Sequence, residues 1–186
     1  MNDDKYYIEK IKHGEKQYFS YIVKNYKKIA FTLALRMVKT RAVAEDLTQD
    51  AFVKIFINIG VFDYRVKFST WVYKIVYNTC IDYIRTQKMR FDSIDNEHFV
   101  KEIVFEDRID LDREFRTKAL QEAILSLPGD YGFIMTLYYY DDMNIAEIAE
   151  ITAQSKENVK TKLHRGRRLL EIELTKVFKN EVKSLI

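Results

Sequence analysis

The stretch that decides the fold lies toward the end of the chain, where residues 144–168 read NIAEIAEITAQSKENVKTKLHRGRR. Its first half contains Asn144 and, three residues later, Glu147. This is the spacing of a capping box, in which each side chain accepts a hydrogen bond from the other residue's backbone. The apolar residues that follow, such as Ile148 and Ala149, fall on one helical stripe. This half therefore predicts a short helix of about two turns.

The second half predicts another helix, entered through a tight turn. After a break around Thr152 to Gln154, Ser155 is a suitable N-cap. The predicted buried seam of this helix is Val159, Leu163, Gly166 and Leu170. A short helix, a tight turn and a second helix with a basic outer face form the arrangement that places side chains in the major groove of DNA. The candidate DNA contacts are Ser155, Lys156, Lys160, Thr161, His164, Arg165 and Arg168.

Residue chemistry suggests how this outer face would read DNA. Lys160 can donate to guanine, and Thr161 can contact a thymine methyl group. Arg165, Arg167 and Arg168 suit phosphates. A charge run is usually just a solvated helix face, but the position after a helix and a turn favours DNA binding. The pattern does not say which class of DNA-binding protein it belongs to.

Composition favours an all-α chain without a metal or cofactor site. One proline and five glycines are few for 186 residues, and long stretches lacking both favour helices. Cys80 is alone, and His13, His98 and His164 lack paired ligand spacing, so neither a disulfide nor a metal site is predicted. Met1 to Lys12 is charged and no long apolar run follows, which predicts a cytoplasmic protein without membrane insertion.

The net charge of +3 is unevenly distributed. Residues 1–87 hold 15 basic and 9 acidic groups, residues 88–116 hold 6 and 9, and residues 117–186 hold 10 and 10. The front of the chain is therefore basic, the middle acidic and the back neutral. Such a division favours two parts joined by an acidic connector.

Helical periodicity extends this division along the chain. The predicted helices are Lys16–Val38, Ala42–Ile59 ending at Gly60, Trp71–Arg90 capped by Ser69 or Thr70, Arg113–Leu125, and Tyr131–Tyr140 after a stop at Pro128 and Gly129. We expect two small helical domains, residues 1–88 and 113–186, joined by an acidic linker, residues 89–112. We expect no large interface between them, as is usual for domains joined by a linker.

Two motifs in the front half and the tail together resemble one family. Residues 44–52 read AEDLTQDAF and residues 68–78 read FSTWVYKIVYN, and both precede the helix-turn-helix. The chain is similar, from about Ile8 to Leu174, to the extracytoplasmic-function (ECF) sigma factors of the sigma-70 superfamily. The resemblance implies a subunit that binds core RNA polymerase, recognises the −35 and −10 promoter elements and assists promoter melting. It also implies an anti-sigma factor as a partner and a linker that threads the polymerase cleft.

The first motif contains the candidate polymerase contacts. Asp46, Gln49 and Asp50 fall at i, i+3 and i+4 and therefore share one helix face. The family resemblance implies that this helix contacts the coiled coil of the largest catalytic subunit. Polar contacts of this kind favour the correct partner through charge complementarity more than through affinity.

The second motif contains the candidate −10 contacts. Aromatic and basic residues alternate before the helix, a composition that can stack unpaired bases and hold their phosphates. The resemblance implies that this loop and helix capture a base flipped out of the duplex. The candidates are Tyr64, Arg65 and Lys67 on the loop, and Trp71, Ile75 and Asn78 on the helix. A single tryptophan on an amphipathic helix is as often part of the core as functional.

One residue departs from the family pattern. Ala153 stands in the turn where the family commonly has glycine, so the turn must avoid a left-handed conformation or accept strain. His164 occupies a variable base-contact position, so the −35 sequence is not predictable.

Two other classes of protein remain as alternatives. A stand-alone helix-turn-helix regulator with a helical sensor domain would bind duplex DNA without polymerase, as a dimer on paired half-sites. The two front motifs argue against it. A nuclease using Asp46 and Asp50 as metal ligands is the other alternative, but the sequence offers no third ligand or phosphate-binding glycine loop.

Overall fold

The computed structural model describes the backbone of residues 3–91 and 111–184, and the side chains of residues 4–89 and 117–176. Most of the predicted linker lies outside these residues. The helices are α1 (Asp3–Lys12), α2 (Phe19–Val38), α3 (Arg41–Asn58), α4 (Phe68–Phe91), α5 (Leu111–Ser126), α6 (Tyr131–Tyr139), α7 (Ile145–Thr152) and α8 (Lys156–Ser184). Short 3₁₀ turns cover Lys16–Tyr18 and Ile59–Val61. The described residues contain no strand, and the all-α prediction with two helical domains is confirmed.

The front domain is a bundle in which α2, α3 and α4 pack against one another. The predicted cap at Ser69 or Thr70 is wrong, because α4 already begins at Phe68. Phe68 is buried against Phe62, with ring centroids 5.2 Å apart, so aromatic packing brings the first turn forward. Thr70 consequently lies inside the helix, and its Oγ1 is buried without a hydrogen-bond partner.

The back domain follows the capping and breaking signals of the sequence. The chain breaks between α5 and α6 at Pro128 and Gly129, where Gly129 has φ +52°. The predicted capping box is present: Asn144 Oδ1 accepts from the Glu147 N–H at 3.1 Å, and Glu147 Oε2 accepts from the Asn144 N–H at 2.9 Å. The helix-turn-helix is therefore formed by α7 and α8.

The two domains share an interface, so the expectation of no large mutual contact is wrong. Helix α4 packs on α7, α2 packs on α6, and one continuous set of buried apolar side chains spans both domains. Tyr77 of α4 meets Phe133 of α6 edge to face at 5.0 Å. A Cβ at Gly132 would lie 2.9 Å from the Ile124 carbonyl oxygen and 3.3 Å from Arg36 Cβ, so glycine allows α6 to approach both neighbours. Periodicity identified the buried faces but not their partners.

The interface also buries a charge. Arg36 is only 5% exposed and donates Nη1 to the Gln121 carbonyl at 2.7 Å, while its Nε has no partner. Burial lowers the pKa of the guanidinium from its ordinary value. Among the helices that the structure describes, none combines the length and the hydropathy that a membrane-spanning segment needs.

Candidate nucleic-acid interface

The outer face of α8 presents all seven predicted DNA contacts to solvent. Ser155 caps the helix, since its Oγ accepts from the Asn158 N–H at 3.1 Å. Val159 and Leu163 are buried as predicted, which turns the basic face outward. The exposed residues are Ser155, Lys156, Lys160, Thr161, His164, Arg165 and Arg168. Their placement suits a recognition helix, and their individual roles stay predictions.

Of the two outcomes predicted for the turn before α8, the structure shows the strained one. Ala153 adopts φ +52° and ψ +38°, the left-handed region that a Cβ disfavours by about 1–2 kcal/mol. In this conformation the N–H of Gln154 donates to the Ala149 carbonyl at 3.0 Å and closes the end of α7. The turn geometry is therefore kept without glycine.

Replacing Ala153 with glycine is expected to raise the free energy of unfolding by roughly 0.5–1 kcal/mol. The substitution removes the left-handed penalty, and the greater entropy of glycine in the unfolded chain offsets part of the gain. The matched control is Ala146→Gly in the exposed first turn of α7, where we expect a loss of up to about 1 kcal/mol. Urea denaturation followed by circular dichroism measures both; a loss at Ala153 would show that the turn is unstrained.

Asp130 anchors α8, and it was not among the residues predicted from the sequence. Its side chain is 11% exposed and accepts from Lys162 Nζ at 2.6 Å and from Gln154 Nε2 at 2.7 Å. It also accepts from the Tyr77 hydroxyl at 3.1 Å. Burial, followed by the charge of Asp130, raises the pKa of Tyr77 to about 12. One carboxylate thus joins α8, the turn and α4, and its only sequence signal was a position just after Pro128 and Gly129.

The predicted −10 contacts lie on the loop before α4 and on α4 itself. Trp71 stacks on Phe68 at 5.6 Å and packs against Phe62 at 5.3 Å, so much of its ring belongs to an aromatic cluster. Tyr64 is 37% exposed. Asn78 is exposed on the helix. The remaining candidates are Arg65 and Lys67, which are exposed, and Ile75, which is partly buried.

An ion pair connects the loop that holds the first predicted −10 contacts to the helix-turn-helix. Lys67 Nζ lies 2.7 Å from Glu147 Oε1, the glutamate that also completes the capping box of α7. The hydrogen bond from Lys67, together with that from the Asn144 backbone, holds the pKa of Glu147 below its ordinary value. A weaker contact of 4.0 Å joins Lys74 to Glu150. In this arrangement a predicted −10 contact is already paired with the other domain.

The predicted polymerase contacts lie exposed on α3, beside a groove between α2 and α3. Asp46 and Gln49 line this groove of about 1100 Å³, whereas Asp50 lies outside it. The polar residues were predicted from the sequence, but the apolar groove was not, because the lining of the groove comes from two helices. Its apolar lining is Phe19, Val23, Phe31, Phe52, Val53 and Phe56, and lysines Lys24, Lys27 and Lys28 also line it.

Metal ligands do not cluster in the described residues. No group of three or more histidine, cysteine, aspartate or glutamate side chains lies close enough together there to hold a metal ion. Asp46 and Asp50 therefore gain no third ligand among these residues, and the nuclease alternative gains no support.

Cys80 is buried, and burial raises the pKa of its thiol to about 12.

Comparison with known proteins finds matches to both halves of the chain. The family model of sigma-70 region 2 matches residues 22–90, and that of sigma-70 region 4 matches residues 117–170. The ECF RNA polymerase sigma factor SigW of Bacillus subtilis is 34% identical over 178 residues, covering 90% of this chain and 94% of SigW. SigV of the same organism is 31% identical, covering 83% and 89%. The sigma-E factor of Escherichia coli K12 is 29% identical, covering 90% and 92%.

Solved structures match the fold. The sigma factor RpoE in complex with the anti-sigma factor NepR, from Bartonella quintana, aligns with a TM-score of 0.68 at 18% identity, covering 84% of this chain and 96% of RpoE. CnrH in complex with the cytosolic domain of CnrY aligns with a TM-score of 0.61 at 18% identity, covering 92% and 97%. At this identity the likeness concerns the fold alone.

Proposed function

The chain belongs to the extracytoplasmic-function sigma factors of the sigma-70 superfamily, and from this premise we infer how its surfaces divide the work of promoter recognition. It is an alternative sigma factor. We propose that α3 binds core RNA polymerase through Asp46, Gln49 and Asp50, that the Tyr64–Lys67 loop and α4 capture the −10 strand, and that α8 reads the −35 duplex. The observation that carries the proposal is that most of the residues predicted for the three tasks are exposed, each set on a separate surface: α3, the Tyr64–Lys67 loop with α4, and α8. We propose that residues 1–88 form the domain that binds polymerase and the −10 strand, and that residues 113–186 form the domain that binds the −35 duplex.

We propose that the protein performs no chemistry of its own and acts in the cytoplasm, where it supplies promoter position while the polymerase makes RNA. An anti-sigma factor is the proposed partner in the inactive state. This rests on family membership and on the RpoE structure, which was solved with the anti-sigma factor NepR. Such a partner would cover the two DNA-reading faces of this chain.

We also propose that the domain interface opens when the protein joins polymerase and promoter. Lys67 must leave Glu147 before it can meet a phosphate, and Tyr77, which precedes Asn78 on α4, is held by Asp130. The interface is suited to opening because a buried guanidinium with an unpartnered Nε is costly, and separation rehydrates it.

The decisive experiment adds the purified protein to core RNA polymerase from a related bacterium and sequences the transcripts made from the fragmented genome. We expect starts that depend on the protein and share a two-part motif. Good duplex binding without such starts would favour a stand-alone helix-turn-helix regulator instead. The promoter found in this way serves the tests below.

Asn78→Ala is expected to slow open-complex formation about tenfold, because losing a hydrogen bond to an extruded base leaves that base's polar group unsatisfied at a cost of roughly 1–3 kcal/mol. Core binding should stay unchanged, since Asn78 lies on α4 and the proposed polymerase contacts lie on α3. Asn58→Ala is the matched control, because this exposed asparagine donates to the Lys54 carbonyl of its own helix. Stopped-flow fluorescence at the promoter measures opening; equal losses of opening and core binding would contradict the assigned role.

Two variants of α8 separate base reading from phosphate binding. Lys160→Ala is expected to relax selectivity at one −35 position, with a cost of about 1–3 kcal/mol on the preferred base. Arg168→Ala should weaken binding to all sequences alike and make the salt dependence shallower by about one phosphate contact. Duplex binding at several salt concentrations, with each base of the −35 element substituted, measures both; the opposite pattern would exchange the two assignments.

A further inference from the structure

Helix α1 precedes the residues matched by the family model of region 2, yet it packs directly on the front domain. Ile8 and Ile11 are buried, at 0% and 7% exposure. The hydroxyl of Tyr26 on α2 donates to Asp4 Oδ2 at 2.6 Å. These contacts fix the position of α1, so side chains on its loop-facing side have a defined place.

From that position α1 contacts Tyr64 of the proposed −10 loop and the backbone just before that loop. The Tyr64 hydroxyl donates to Glu9 Oε1 at 2.5 Å. Lys12 Nζ donates to the Phe62 carbonyl at 2.7 Å and lies 4.7 Å from the centre of the Tyr64 ring. Lys12 also lies 3.7 Å from Glu9. The hydrogen bond to Glu9 therefore holds the end of the Tyr64 side chain, and the hydrogen bond from Lys12 holds the backbone two residues earlier.

The loop needs such ties because Tyr64 is strained. Its φ is +64°, in the left-handed region that a bulky side chain rarely adopts. A residue in this region stays there only when its surroundings over-determine it, and such residues are concentrated at functional sites. The hydrogen bond from Tyr64 lowers the pKa of Glu9, which means that this bond favours the ionised carboxylate.

We propose that Glu9 and Lys12 are positioning residues for promoter melting, which hold Tyr64 in its left-handed conformation and so aim its ring at an unpaired base of the −10 strand. The inference rests on the proposed role of the loop. It makes α1 a third part of the −10 surface, acting through Tyr64 and not through contacts of its own. The partly exposed ring is then preorganised, and the loop loses less entropy when the strand binds.

The test compares variants of the full chain with core polymerase on its promoter. Glu9→Ala and Tyr64→Phe each remove the same hydrogen bond, so each should slow opening roughly three- to tenfold, and the double variant should be no slower than either. Lys12→Met should slow opening in the same way. Glu9→Gln should recover most of the rate, because its amide oxygen still accepts.

The control is Glu15→Ala, which removes an ion pair of 2.8 Å with Lys10, away from the loop. It should leave opening unchanged. Core binding and the thermal midpoint are measured for every variant, and both should stay unchanged for Glu9→Ala. Additive losses in the double variant, or a Glu9→Gln variant as slow as Glu9→Ala, would overturn the proposal.

Tyr64→Ala distinguishes failure of this inference from failure of the proposed function. If Tyr64→Ala slows opening and Glu9→Ala does not, the positioning role is wrong and the −10 role of the loop stands. If Tyr64→Ala opens the promoter at the unaltered rate, the role of Tyr64 fails and the positioning role fails with it.

Discussion

Replacing Asp130 with alanine is expected to lower the free energy of unfolding by about 3 kcal/mol, because three donors lose one shared acceptor. The Lys162 side chain is only 23% exposed, and its ammonium would be left without its carboxylate. Gln154 and Tyr77 would also lose their bonds to this residue. Removing one partner of a buried pair costs about 3–5 kcal/mol, and the partial exposure of Lys162 places the expectation at the lower end. Urea denaturation measured by circular dichroism tests it.

The matched control for Asp130 is Asp82→Ala, which also removes a carboxylate bonded to a cation. Asp82 accepts from Arg85 at 2.9 Å on the surface, where such a pair contributes less than about 1 kcal/mol. The stability loss of Asp130→Asn should fall between those of the two alanine variants. The amide keeps one acceptor oxygen, but its NH₂ group would face the donor groups that Asp130 now accepts from. If Asp130→Ala and Asp82→Ala cost the same, Asp130 is not an anchor of α8.

Local rules explain why the helix-turn-helix could be predicted. The Asn144 and Glu147 box, the Ser155 cap and the seam of Val159 and Leu163 each depend on residues within one or two helical turns. Such short-range patterns determine which side of a helix is buried. The exposed face of α8 follows from its buried face, and this is why all seven predicted contacts point to solvent.

Long-range contacts explain what the sequence did not reveal. Lys67 and Glu147 are far apart in sequence, and Asp130 meets Tyr77 of the other domain. Periodicity states that a face is buried but does not name the face that covers it. The same limit hid the groove beside Asp46, whose walls belong to two helices. At Ala153 the sequence left two outcomes open, and the observed left-handed turn shows that hydrogen bonding at the end of α7 outweighs the strain.

The domain interface gives these contacts a common consequence. Asp130 joins α8 to α4, and Glu147 joins the loop before α4 to the capping box of α7. Under the proposed function, both ties across the interface must break when the two promoter elements are read at once. Any variant that weakens the interface without touching a DNA-contacting residue should therefore favour the open form.

Replacing Phe133 with alanine is the sharpest test of the coupling between the two domains. We expect the free energy of unfolding to fall by about 3–5 kcal/mol. Phe133 is fully buried, and its ring meets Tyr77 across the interface, so the cavity adjoins both domains. We expect amide hydrogen exchange to accelerate in α6 and also in α4 around Tyr77, since local opening follows lost packing. Phe133→Leu leaves a smaller cavity, so it should cost less than Phe133→Ala and should accelerate exchange in α4 less. Faster exchange confined to α6 in Phe133→Ala would show that the domains unfold independently and that the interface does not couple them.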